Sequence, residues 1–283
     1  MRSFIEAEMR SSSFRSRSEK SGTRLRSSAA PSATRGLCHT GTVRLTVVGC
    51  SPAWPNPGGA QSGYLVEGSG RLLLDCGPGV LPRLREQEGW PRVNAIVITH
   101  FHLDHWGDLV PWTFGAMFGP GRDLPKPDLW LPPGGLGELE QFGEKFGVPG
   151  MFTEGFNAQE YIAGEPFETC GLTVTPLRVP HYQLQTYALR VSDGTSTLAY
   201  SGDSAPSPML AEVGRDANLF LCEATLREGV EGGNGLRGHL SADEAVAAFH
   251  ESGAHRLVII HRPDELPLDD GIERASDGDV YTF

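Results

Sequence analysis

His100-Phe101-His102-Leu103-Asp104-His105 sets three imidazoles and a carboxylate within six residues, directly after the apolar run Ala95-Ile96-Val97-Ile98-Thr99. The run is short and β-branched, so it predicts a buried strand with the histidines in the loop at its C-terminal end. Loops anchored by rigid strands are where folds display reactive groups. His100 and His102 are two apart and point the same way in extended backbone, so one ion can take both. Asp104 and His105 follow at a predicted helix start, where they can serve a second ion a few ångströms off. One loop cannot complete two coordination shells. The chain must therefore fold so that other strand ends meet this one.

Candidates for those partners occur in order downstream. His181 follows the strand-like Leu172 to Pro180 and can join His100 and His102 on the first ion. Asp203, in Ser201-Gly202-Asp203-Ser204, comes just past a strand and a glycine, where a carboxylate can bridge two cations through its two oxygens. His261 ends the strand Leu257 to Ile260 and can join Asp104 and His105 on the second ion. Plainer readings stand beside these: an exposed loop histidine, a turn aspartate, a polar cap on a strand. Glu223 ends an apolar strand, where an unpaired charge is costly. His239 lies between a Gly-rich loop and a predicted helix, and Glu223 can orient it as a proton donor. Asp75 leads from a strand into a glycine-rich turn and is expected to hydrogen-bond and fix the histidine loop.

The predicted elements alternate with short turns. Strands are expected near 43–48, 63–67, 71–75, 95–99, 128–131, 172–179, 186–192, 196–200, 218–222, 256–260 and 280–283. Helices are expected near 79–88, 106–118, 135–147, 206–213 and 241–252. Ser241 and Glu244 form a capping box for the last helix. The order predicts two packed sheets with helices outside. Trp112–Phe167 is expected to form an apolar lid over the substrate.

Charge divides the 283-residue chain. Residues 1–40 are Ser- and Arg-rich with a net charge of about +5, leaving about −16 on residues 41–283. The first segment lacks an apolar pattern and is expected to be disordered. It reads as a targeting segment, a nucleic-acid-binding tail or an over-extended reading frame; residues 41–283 form the working domain. An acidic body disfavours broad contact with a phosphate backbone. No apolar run approaches the ~18 residues of a membrane span. The five cysteines lack any C-x-x-C pair, which predicts reduced thiols and a cytoplasmic location.

The ordered set His100-x-His102-x-Asp104-His105, His181, Asp203 and His261 resembles the metallo-β-lactamase superfamily. Glu223 in Cys-Glu-Ala-Thr and His239 before Ser-Ala-Asp-Glu-Ala resemble its ribonuclease Z-like phosphodiesterases, especially small members such as bacterial cyclic-nucleotide phosphodiesterases. The resemblance covers about residues 43–283. It implies an α/β fold, the four-layer αββα metallo-β-lactamase sandwich. It further implies two divalent metal ions, zinc by preference with Mn2+ or Fe2+ also suited to the donors, and frequently a homodimer. The implied chemistry is hydrolysis of a small-molecule phosphodiester by a hydroxide shared between the ions, with Asp104 beside it and His239 and Glu223 protonating the departing oxygen. Three alternatives remain: a tRNA 3′-end endoribonuclease, a hydrolase of a lactone, thioester or phosphonate-pathway phosphodiester on the same metals, and a metal-binding protein without catalysis. The chain departs from the tRNA-processing pattern at Leu103, where those enzymes carry Gly, and at Arg262-Pro263 after the last histidine. Between His105 and His181, where their basic arm falls, it has four basic residues against ten acidic ones.

Overall fold

The computed structural model describes residues 43–229 and 236–283. The expectations for residues 1–40, and for Cys38 and His39, lie outside them. Thirteen strands are described: β1 Arg44–Gly49, β2 Gly63–Glu67, β3 Arg71–Leu74, β4 Ala95–Val97, β5 Asp128–Leu131, β6 Asn157–Glu160, β7 Phe167–Thr169, β8 Leu172–His181, β9 Leu184–Ser192, β10 Thr197–Tyr200, β11 Leu219–Glu223, β12 Leu257–Ile260 and β13 Val280–Thr282. The helices are α1 Val80–Gln87, α2 Leu103–Trp106, α3 Leu109–Phe118, α4 Gly135–Lys145, α5 Met151–Gly155, α6 Pro208–Gly214 and α7 Ala242–Ser252.

The strands form two mixed sheets, ordered β13-β1-β2-β3-β4-β5-β6 and β12-β11-β10-β9-β8-β7. Each has an antiparallel part and a parallel part. β3 to β6 run parallel in the first sheet, and β10 to β12 in the second. Central strands are apolar on both faces because both faces are covered. Leu72 and Leu74 of β3 enter the core between the sheets, whereas Leu73 enters the core under the helices of the first half. In β11, Leu219 and Leu221 face the other sheet, and Phe220 and Cys222 face α6 and α7. Three cores therefore separate four layers, the αββα order. Truncating a side chain such as Leu73, which is fully buried, to Ala should cost about 2–5 kcal/mol.

Parallel pairing decides where chemistry can sit. The C-terminal ends of β3 and β4 lie together on one edge, and so do those of β10, β11 and β12. Glu223 ends β11, Asp75 and His261 come immediately after β3 and β12, and the histidine loop and Asp203 begin within three residues of β4 and β10. A glycine closes the edge: Gly77 lets the turn after Asp75 run so close to Asp104 that a Cβ there would meet the Asp104 carbonyl oxygen at 1.9 Å.

The structure departs from the sequence reading in three places. The helix expected at 106–118 is two helices, broken at Gly107 and Asp108. Asp108 turns back there to accept a hydrogen bond from the Leu81 amide at the start of α1 (2.8 Å). The short elements β6, β7 and α5 were not anticipated; β6 is polar and largely exposed at a sheet edge, so it carries no apolar pattern. The stretch Trp112–Phe167 is mostly not a lid. Trp112, Leu129, Leu131, Leu139, Met151, Phe152 and Phe156 are buried in the core of the first half. Their apolar character came from packing on a sheet. No helix among the described residues is long and apolar enough to cross a membrane. Cys50, Cys76, Cys170 and Cys222 are unpaired thiols.

Candidate metal centre

Ten residues singled out in the sequence converge on this edge: His100, His102, Asp104, His105, His181, Asp203, Glu223, His239, His261 and Asp75. Two sets of donors have their ligand atoms within 4.8 Å of one another: His100, His102, His181 and Asp203, and Asp104, His105, Asp203 and His261. Asp203 belongs to each set, and its two oxygens divide between them. Oδ2 lies 3.8 Å from Nε2 of His100 and 3.8 Å from Nε2 of His181. Oδ1 lies 3.3 Å from Nε2 of His105 and 3.7 Å from Nε2 of His261. Asp104 Oδ2 stands 3.2 Å from His261 Nε2 and 3.5 Å from His105 Nε2. A third group, Glu223, His239 and His261, adjoins the second set.

The outer nitrogen of each buried histidine is fixed by the chain, which decides what the inner one presents. His105 donates Nδ1–H to Asp75 Oδ2 (2.7 Å), and Asp75 also accepts from Tyr200 Oη (2.6 Å) and the Thr99 amide (2.8 Å). Thr99 donates its hydroxyl proton to Asp75 and so accepts from His100 Nδ1 (3.0 Å). His181 donates Nδ1–H to the Gly238 carbonyl (2.7 Å). Thr225 donates its hydroxyl to Glu223 Oε2 (2.7 Å) and accepts from His261 Nδ1 (2.8 Å). With Nδ1 engaged on these partners, all four rings turn Nε2 inward, the atom a metal-binding imidazole presents.

The inner side supports the same reading. Nε2 of His100 and of His105 are buried without a hydrogen-bond partner, which polar atoms at such depth rarely tolerate. His181 Nε2 and His102 Nδ1 approach to 2.9 Å, nitrogen against nitrogen. A single proton or a single cation between them relieves that contact. Neutral imidazoles with carboxylates are a donor set suited to a divalent ion such as zinc. The residues fit a metal pair.

Electrostatics separates the two sets. Burial pushes the imidazoles of His100, His102 and His181 below the usual histidine range, so those three rings are neutral. Burial acts in the same direction on His105, but Asp203, Asp75 and Asp104 outweigh it and raise its pKa well above the usual value. Burial would raise the Asp203 carboxyl, yet His261 and His105 hold it well below the ordinary carboxylate range. Asp104 is lowered to about 2, chiefly by His105 and His261 against the effect of burial. The second set carries excess negative charge that a proton or a metal ion can neutralise.

His239 stands beside the sets. Its Nδ1 donates to Glu223 Oε1 at 2.9 Å, while the same carboxylate oxygen accepts the Ser204 amide at 2.8 Å. Glu223 is fully buried and has every oxygen partnered inside the protein. Thr99, Tyr200, Thr225 and the Gly238 carbonyl were not anticipated as site residues. Thr99 and Thr225 had a signal, since each adjoins or nearly adjoins a motif residue. Tyr200 and Gly238 had none, because their partners are distant in the chain. Arg262, at a point of departure from the tRNA-processing pattern, is buried and donates to the carbonyls of Ala224, Leu226, Leu266 and Pro267. It pins the loops behind His261.

Comparison with known proteins agrees with this geometry. Residues 70–262 match the family described as the beta-lactamase superfamily domain. The probable metallo-hydrolase YhfI of Bacillus subtilis is 31% identical over 223 residues, covering 78% of this chain and 87% of that protein. Its crystal structure superposes with a TM-score of 0.73 over 86% of this chain and 100% of YhfI. Ribonuclease Z of Mycobacterium marinum is 26% identical over 242 residues, covering 77% of this chain and 86% of the enzyme. The chain therefore belongs to the metallo-hydrolases of the β-lactamase superfamily, in its ribonuclease Z-like group.

Proposed function

We propose that the chain is a binuclear phosphodiesterase acting on a small phosphodiester, with cyclic nucleotides the class to test first. The observation that supports this most directly is the His239–Glu223 pair beside two donor sets joined by Asp203. An alkoxide leaving a phosphodiester needs a proton, and a carboxylate-held imidazolium supplies one. His100, His102, His181 and Asp203 would hold one ion, and Asp104, His105, Asp203 and His261 the other. Zinc is the first candidate, and manganese or iron suit the same donors. Such a pair, when bound, supplies a water acidified towards pKa ~7 and positive charge for the phosphoryl oxygens.

The chain's own residues do the remainder. Asp104 Oδ2, on the His105 and His261 side, would accept a hydrogen bond from the attacking oxygen. His239 keeps Nδ1–H on Glu223 and delivers its Nε2 proton to the departing oxygen. Asp75, Thr99 and Thr225 hold the rings so that nothing reorients during reaction. Reaction in the cytoplasm and assembly as a homodimer complete the proposal, the second to be read from the protein's mass in solution.

The test uses zinc-loaded protein and two kinds of diester. His239→Ala should keep its metal by elemental analysis and lose about 10²–10⁴-fold on cyclic AMP. On bis-p-nitrophenyl phosphate, whose leaving group departs unprotonated, the loss should be far smaller. Hydrolysis of cyclic AMP by His239→Ala at the parent rate would remove the proton-donor role. The named ribonuclease Z relatives favour a second reading, 3′-end cleavage of tRNA precursors; the body charge of about −16 weighs against it. Faster cleavage of a tRNA precursor than of cyclic AMP would put that reading first, and cleavage of a lactone alone would displace both.

A further inference from the structure

The donor sets are almost closed to solvent, and that fixes how a substrate reaches them. His100, His105 and His181 have no exposure, His261 is 1% exposed and Asp203 2%. Of the site's described imidazoles, His102 and His239 are the two that reach the surface, and the exposed ring of Tyr182 stands against them. The Tyr182 ring centroid lies 4.8 Å from His181, 5.7 Å from His239 and 6.4 Å from His102.

Tyr182 is held there at some cost. It sits in the turn between β8 and β9 with φ of +48°, a left-handed conformation that a bulky residue adopts only when its surroundings enforce it. Its amide donates to the Arg237 carbonyl (3.1 Å). Its ring packs on Gly238, where any Cβ would come within 2.3 Å of it. Yet the residue remains 42% exposed, and so is neither core packing nor free surface. Arg237 of the same loop is already engaged, donating to both oxygens of Glu244 and to the His239 carbonyl. Among the described residues, what stands at the opening is the aromatic ring of Tyr182, 42% exposed.

Resting on the phosphodiesterase reading, we propose that Tyr182 is a specificity-determining residue: its ring stacks on a planar substituent of the substrate, a nucleobase or aryl group, while the phosphate lies between the donor sets. Stacking of a base on an aromatic side chain is enough for roughly tenfold selectivity.

Calorimetric titration of the zinc-loaded full-length chain tests this without turnover, using adenosine 5′-monophosphate and ribose 5-phosphate, which differ only in the base. The unaltered protein should bind the nucleotide roughly tenfold more tightly. Tyr182→Phe should keep that ratio, and Tyr182→Ala should bring it close to one with zinc content unchanged. Should the alanine variant fail to fold or load zinc, Tyr182→Leu replaces it and should lose most of the preference. Equal binding of the two ligands by the unaltered protein, or an undiminished ratio in Tyr182→Ala or Tyr182→Leu, overturns the proposal. If cyclic AMP is still hydrolysed in that case, the phosphodiesterase reading survives alone. If neither ligand binds and no diester is cleaved, both fall.

Discussion

The two halves of the molecule solve the same problem with the same device. In the first half a buried carboxylate, Asp75, takes His105 directly and His100 through the hydroxyl of Thr99. In the second half a buried carboxylate, Glu223, takes His239 directly and His261 through the hydroxyl of Thr225. Each therefore orients one imidazole by charge and one by relay. The difference lies in what is being held. Asp75 supports two inward-facing donor rings and is locked further by Tyr200 from the opposite sheet. Glu223 supports one such ring and one half-open ring at the mouth. On the proposed mechanism the first half would serve metal binding, and the second would divide its carboxylate between metal and proton transfer.

The strongest way to break that division is to remove what the halves share. Asp203→Ala deletes the carboxylate whose oxygens face both sets, so it should lower bound metal below two ions per chain and reduce hydrolysis by at least ~10³-fold. Elemental analysis with a diester assay reads both. A variant that retained two ions and near-parent rate would show that the sets do not depend on Asp203. The next largest effects should separate the halves. Asp75→Asn should weaken metal affinity about 10–100-fold and rate along with it. Glu223→Gln should slow alkyl diesters more than p-nitrophenyl diesters at full metal occupancy. Equal loss of metal in the two variants would erase the contrast.

Acidity offers a sharper comparison, between the two donor sets. Burial lowers His100, His102 and His181, so no proton has to leave them near neutrality. Burial also opposes charge on His105, but its three carboxylate neighbours keep it protonated well above the usual histidine range, and a metal ion must displace that proton. A group with a raised pKa binds its proton more as pH falls, so affinity at the second set should weaken by about tenfold per pH unit below that pKa. Affinity at the first set should stay flat over the same window until its lowered pKa values are reached. Metal titrations at a series of pH values should show two sites with different slopes; two identical slopes would contradict the electrostatic asymmetry.

How much of this was legible in the sequence also divides by half. In the first half His100, His102, Asp104 and His105 share one loop, so their spacing alone announced a donor cluster. In the second half the side chains stand at the ends of different strands or, for His239, before a helix, and the order of motifs marked them. His181, Asp203, Glu223 and His261 were nonetheless found because each stands at or just past the end of a strand-like run, and His239 because it lies between a Gly-rich loop and a predicted helix. Strands read well where both faces are apolar, as in Leu72-Leu73-Leu74. β6 was missed because an exposed edge needs no such pattern. The apolar stretch after His105 was misassigned for a related reason. Trp112 and Phe152 look alike in sequence whether they cover a ligand or a sheet, and only register tells which. Tyr200 reaching Asp75 across the sheets had no linear signature at all.

Replacing the relay hydroxyls should give smaller effects and test the parallel itself. Thr99→Val and Thr225→Val keep shape but leave a buried Nδ1–H unpaired, which costs about 1–3 kcal/mol. Each should lower the thermal midpoint, and Thr225→Val should in addition slow alkyl diesters, because Glu223 also serves His239. If Thr99→Val showed the same leaving-group dependence, the division of labour would fail.

The smallest effect should come from Glu244, which has no counterpart in the histidine loop of the first half. It closes the capping box of α7 and takes Arg237, whose Nε donates to the His239 carbonyl, so it steadies the backbone of the proposed proton donor. Burial would raise its carboxyl, but Arg237 and Ser241 lower it below its ordinary value of 4.5. A depressed acid contributes stability above the unfolded pKa and loses it as pH falls through the folded one. Since the group is partly exposed to solvent, the contribution is discounted to at most ~1 kcal/mol. Glu244→Gln should therefore lower the thermal midpoint slightly at neutral pH, and the difference should vanish below the carboxylate range. A difference that persisted in acid would mean that the capping geometry, rather than the charge, holds the loop.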